Sequence, residues 1–113
     1  MIKKLIFATK FSLEGLNYGL NTQFACRLEI FLIALLGPVG FFLGKTPVEK
    51  ALLVSSLLLI FMMELVNTAI EVVIDRISLE HHELSKAAKD LGSATVLIAT
   101  LIAIILWCSI LFQ

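Results

Sequence analysis

Apolar runs separated by short polar stretches divide the chain into four elements. Residues 2–24 interleave Leu5, Ile6, Phe11, Leu13, Leu16, Leu20 and Phe24 with Lys3, Lys4, Lys10, Glu14 and Asn17. That alternation, with its basic start, predicts an amphipathic helix lying in a bilayer interface rather than crossing it. The next run, ~27–44, is short for a span of roughly 20 residues. It carries Gly37, Pro38 and Gly40, which membrane helices tolerate where neighbours pack around them. A polar turn at 45–50 leads to a second span, ~51–74. Residues 76–88 read as a charged connection. The third span, ~91–112, is apolar almost throughout, with Trp107 near its far end as an interface anchor.

The second span is not apolar all round. At about 100° per residue, Glu64, Asn67, Glu71 and Asp75 share an arc of about 80°, with Thr68 at its edge. Leu65, Val66, Ala69, Val72 and Val73 lie opposite. Acids within a membrane are costly, so this stripe is the first candidate functional site.

Composition fixes the class. The 113 residues are 59% hydrophobic with a mean hydropathy of +1.00, more apolar surface than a small soluble domain can bury. The expected fold is an all-α membrane protein in one domain, 1–113: an interfacial amphipathic helix plus three transmembrane helices. Formal charge is zero, and no basic, aromatic-rich patch suggests nucleic acid as a partner. The distribution of charge says more. Lys3, Lys4, Lys10, Arg27, Arg76, Lys86 and Lys89 fall on one side of the predicted topology, against Lys45 and Lys50 on the other. This bias predicts a cytoplasmic N-terminus and an external C-terminus. The stripe then occupies the cytoplasmic half, with Glu71 roughly 6 Å and Glu64 roughly 16 Å deep from Asp75.

Three acids on one stripe suit a divalent cation, and Mg²⁺ favours a few carboxylates plus substrate phosphates. A deep carboxylate suits a general base that removes a hydroxyl proton, with Asn67 one turn away to orient it. Lys89, beside Asp90 at the start of the third span, suits a phosphate. Together these groups fit phosphoryl transfer from a cytoplasmic nucleotide to a lipid hydroxyl. The residues alone are equally consistent with proton or cation transport. Other motifs carry less. Gly40–Thr46 is one residue short of a phosphate-binding loop, has bulky loop positions and no preceding strand. His81 and His82, with Glu80 and Glu83, lack the second histidine of a zinc-protease helix and read as a solvated loop face. Cys26 and Cys108 sit far apart among apolar residues and read as packing thiols.

The pattern Glu64-x-x-Asn67-Thr68-Ala69-Ile70-Glu71-x-x-x-Asp75 resembles the signature of the small prokaryotic diacylglycerol kinases. The likeness continues through Asp75-Arg76-Ile77, Glu80-x-His82-Glu83-Leu84-Ser85, Ala88-Lys89-Asp90-x-Gly92-Ser93-Ala94 and Trp107-Cys108. It covers nearly the whole chain. The polyprenol branch of the family, the undecaprenol kinases, shares the core signature, but Asp75-Arg76 and Glu83-Leu84-Ser85 look more like the diacylglycerol branch.

The resemblance implies a homotrimer with composite active sites in a bacterial inner membrane, its C-terminus periplasmic. It also implies ATP and diacylglycerol as substrates and Mg²⁺ as cofactor. Glu64 would be the general base, supported by Asn67, and Glu71 would bind the metal. Glu80, His81 and His82 would lie along the ATP, with Lys89 and Asp90 on its phosphate and nucleoside groups. Ser93, Glu29 and Trp107 would join Glu64 on the lipid substrate. Three positions depart from the pattern. Gln23 stands where the family has a second metal-binding glutamate; its carbonyl can ligate Mg²⁺ but brings no charge. Glu29, six residues on and about 240° around a continuous helix, cannot replace it without a local break. Phe11 stands where an ATP-side tyrosine is common, and Lys4 where an arginine can occur, losing the bidentate fork. A small proton-coupled transporter is the alternative from another class. Such exporters need four spans and carry their acid in the first, whereas this chain offers three and crowds its acids into the second.

Overall fold

The computed structural model describes Met1–Gln113 as four helices and no strands: α1 (Ile2–Thr22), α2 (Phe24–Leu43), α3 (Pro47–Ile77) and α4 (Glu83–Leu111). The last three are long and apolar enough to cross a membrane. Only 16 of the 113 residues are buried, so the apolar exterior of the protomer depends on lipid or other chains to cover it.

The α1–α2 junction is a single residue. Gln23 adopts extended backbone angles (φ −118°, ψ 118°) and serves as C-cap of α1 and N-cap of α2. Its N–H donates to Gly19 O at 2.9 Å, and its carbonyl accepts from Arg27 N at 3.3 Å. Arg27 also turns back, donating from Nη1 to Leu20 O at 3.0 Å. It thereby satisfies one of the carbonyls that a helix end leaves open. Pro38 lies inside α2 without ending it.

Thr46 starts α3. Its hydroxyl accepts from Glu49 N at 3.1 Å, Pro47 takes the first turn where its missing N–H costs nothing, and Glu49 supplies the favoured early acid. At 31 residues, α3 is about 46 Å long and outreaches a hydrocarbon layer of about 30 Å. It is also the hub. Leu53, Ser56, Leu57, Ile60, Phe61, Asn67, Thr68 and Ile74 are buried along it, between α2 and α4. Small residues let the neighbours approach: Ala99 and Ala103 of α4 pack on Ile60.

The charged connection is shorter than the hydropathy pattern suggests. Only Ser78–His82 separates α3 from α4, so Arg76, Ile77 and 83–88 are helical. Charged side chains end a lipid-facing surface, but Glu, Lys, Ala and Leu continue a helix readily. Trp107 has a packing role that hydropathy does not reveal. Its indole N–H points inward, donating to Ser56 Oγ at 2.9 Å and Leu53 O at 3.2 Å. A Cβ on Gly40 would stand 3.2 Å from its ring. It ties α2, α3 and α4 together near the far end of α4. Ser93, fourteen residues earlier on α4, is about 21 Å away along the axis.

Candidate functional site

The stripe on α3 is kept together but faces two ways. Asn67 and Thr68, adjacent in sequence and both buried, diverge by about 100°. Thr68 turns to α2, with its hydroxyl 4.0 Å from the buried Cys26 thiol. Asn67 turns to α4, where it meets Gly92. Its amide Nδ2 donates to Glu71 Oε1 at 3.4 Å, the normal reach of an i, i+4 pair. Glu64 and Glu71 are both half-buried, two turns or about 10 Å apart along the axis. Glu64 lies within electrostatic reach of Glu71 on its own helix and of Glu29 on α2. Glu29 is therefore on the side of α2 that faces the Glu64 level of α3, and the break between the helices falls on Gln23 itself.

Lys89 joins this stripe to the charged end of the bundle. Its Nζ lies 2.9 Å from Asp75 Oδ1 and within electrostatic reach of Glu71. It also lines a cleft of ≈310 Å³ shared with Glu80, His81, His82, Lys86 and Asp90. The Asp75 pair is about half exposed on each side (42% and 48%). An ion pair in that setting stabilises by at most about 1 kcal/mol, so exchanging Asp75 for a stronger anion costs Lys89 little. Lys86 and Asp90 form a second exposed pair at 2.6 Å.

His82 does structural work in the same place. It is the N-cap of α4, and its Nδ1 accepts from Leu84 N at 3.0 Å. That bond puts the proton of the neutral ring on Nε2, leaving a donor for an acceptor in the cleft. Spacing alone reads the histidine pair as a solvated loop; the cap is the signal that reading overlooks.

Two other candidates lie outside this cleft in the protomer. Lys4 and Phe11 are exposed on α1, Phe11 stacks on Phe7 with ring centroids 6.3 Å apart, and neither lines the cleft. Gln23 is half-buried at the helix break. Ser93 is exposed on α4, one turn above Lys89. Ser85 and Lys86 line the cleft although the sequence assigns them no role in the site, and Asp75, an acid of the α3 stripe, reaches it through Lys89.

For a divalent metal, no three Asp, Glu, His or Cys side chains converge in the protomer, so it forms no all-protein cage. The donor set does fit an ion that arrives with a nucleotide. Mg²⁺ takes one or two carboxylates and fills its remaining positions with phosphate oxygens and water. Glu71 offers a hard oxygen at the edge of the charged end, committed only to one long bond from Asn67.

Comparison with known proteins places the chain in a family. Residues 10–111 match the family model described as prokaryotic diacylglycerol kinase. A diacylglycerol kinase of Haemophilus influenzae is 51% identical over 108 residues, 96% of this chain and 92% of the relative. Diacylglycerol kinases of Escherichia coli and Pseudomonas aeruginosa are each 40% identical over 110 residues. Those matches cover 97% of this chain and 90% and 89% of the relatives.

Proposed function

From the premise that this chain belongs to the prokaryotic diacylglycerol kinase family, and is a multi-pass membrane kinase using ATP on a lipid acceptor, we propose the following reaction. The γ-phosphoryl group of ATP passes in line to the free hydroxyl of 1,2-diacylglycerol, giving phosphatidic acid and ADP. The observation that carries this reading is the polar face of α3. Two half-buried carboxylates flank a buried amide, and the face runs on through Lys89 into a cleft rich in hydrogen-bonding and charged groups. One end suits a lipid headgroup and the other a nucleotide.

In this reading Glu64 is the general base. It accepts the hydroxyl proton as the oxygen attacks phosphorus, and its half-buried position keeps bulk water from competing for that role. Asn67 holds its amide beside Glu71 and one turn from Glu64. Glu71 holds the Mg²⁺ of Mg-ATP, with the Gln23 carbonyl as a neutral second donor. When bound, Mg²⁺ offsets charge on the phosphate oxygens. Lys89 leaves Asp75 for a phosphate, His82 donates from Nε2, and Glu80, His81 and Asp90 line the nucleotide. Ser93 and Glu29 lie along the lipid, whereas Trp107, turned inward at the far end, is better read as a packing residue. Lys4 and Phe11 do not line this cleft, and in this reading another copy of the chain brings them to the nucleotide. That requirement supports a homotrimer with sites shared between protomers. The basic residues gathered at one end support an N-terminus in the cytoplasm and a C-terminus in the periplasm of a bacterial inner membrane.

The substrate reading is tested with purified protein in mixed micelles, Mg-ATP labelled at the γ-phosphate, and either diacylglycerol or undecaprenol as acceptor. Diacylglycerol is expected to be labelled with a kcat/KM about tenfold or more above that for undecaprenol. The reverse preference would assign the chain to the polyprenol branch.

A further inference from the structure

Gly92 is buried where α4 crosses the middle of the polar stripe. A Cβ built there would overlap Asn67 Oδ1, and would lie 3.3 Å from Ile70 Cδ1 and 3.4 Å from Asn67 Cγ. The amide oxygen it would strike is buried and has no hydrogen-bond partner. Unpartnered buried acceptors are uncommon and call for a cause.

The cause lies on the other arm of the amide. Asn67 Nδ2 faces Glu71 Oε1. Turning the amide over would set two oxygens against each other there, because an ionised carboxylate only accepts. Glu71 thus decides which arm faces α4, and the oxygen takes the space a side chain at position 92 would fill. What meets it is the Cα–H of glycine, at best a weak donor. The other small buried residues of α4 differ. Ala99 and Ala103 pack on Ile60, and each accommodates its methyl group. At position 92 an alanine fits only if the Asn67 amide moves aside, and the obstacle is a polar atom of the site rather than hydrocarbon.

We propose that Gly92 is a positioning residue for phosphoryl transfer: lacking a side chain, it leaves the gap that fixes the Asn67 amide with its NH₂ toward Glu71. The proposal rests on the reading of Asn67 as part of the site. A methyl group at 92 pushes the amide off this alignment without touching either substrate.

The test uses the full-length protein in mixed micelles, with rates expressed per folded molecule. Asn67→Ala comes first and is expected to lose most of kcat. Gly92→Ala is then expected to lower kcat by about tenfold or more, since small misplacements in an active site are costly. The KM values for ATP and diacylglycerol should stay within about twofold of wild type. Its unfolding midpoint should not fall, because alanine favours a helix over glycine. In the Asn67→Ala background, adding Gly92→Ala should change the rate by less than about twofold, the obstructing atom being gone.

An unchanged kcat per folded molecule in Gly92→Ala, with less folded protein, would mean a packing role and overturn the proposal. So would an equal loss in both backgrounds. If Gly92→Ala does not fold, the double variant decides: recovered folding supports the clash with Asn67, and continued misfolding overturns it. A wild-type rate for Asn67→Ala would overturn the underlying reading of the site, and the proposal with it.

Discussion

Glu64→Gln lowers kcat by about 10²–10⁴-fold, the usual worth of a general base, while the KM for ATP stays near its wild-type value. Glutamine keeps the size and hydrogen-bonding capacity of the side chain but cannot take a proton. The position is half-buried on α3, away from the cleft lined by Glu80, His82 and Lys89, so nucleotide binding has no reason to suffer. Initial rates measured against both substrates separate the two effects. A rate within about tenfold of wild type would move the base elsewhere, with Glu29, the acid nearest Glu64 on α2, next in line.

Glu71→Gln lowers kcat/KM by about 10²–10³-fold, as expected when one element of the electrostatic clamp on a transferring phosphoryl group is lost. Glutamine can still accept from Asn67 Nδ2, so the local fold survives. The diagnostic feature is the response to metal. Raising Mg²⁺ should recover part of the Glu71→Gln rate, since a neutral oxygen still ligates weakly, and none of the Glu64→Gln rate. Equal recovery of both, or of neither, would undo the division of labour between the two carboxylates. Gln23 makes this chain informative, because it leaves Glu71 as the only charged ligand in the proposed pair.

The polar stripe is legible in the sequence because helical periodicity alone brings Glu64, Asn67, Glu71 and Asp75 to one face. The membrane class follows from bulk apolarity, and the three spans from their length. Hydropathy does not mark the ends of α3 and α4. It reports where lipid stops, whereas helix continues through Asp75-Arg76-Ile77 and begins again at Glu83 under the His82 cap. Trp107 sits near a helix end in the sequence, which invites an interface reading. Only the packing of α4 on α3 reveals Ser56 and the Leu53 carbonyl waiting for its N–H. The same limit applies to Gly92. In sequence it is a small residue in an apolar run, and its meaning depends on which side chain of another helix lies against it. Tertiary neighbours also separated Asn67 from Thr68, sending one to α4 and the other to Cys26.

The central claim is direct transfer of the phosphoryl group from nucleotide to lipid hydroxyl, with Glu64 acting as a base and no side chain as a phosphate carrier. It is tested most directly by the stereochemical course of the reaction, using ATP made chiral at the γ-phosphorus with sulfur and oxygen isotopes and analysing the thiophosphorylated lipid. A single in-line displacement predicts inversion at phosphorus. Retention would require two displacements through a phosphorylated enzyme group, such as a histidine or carboxylate of the charged end, and would contradict the role assigned to Glu64.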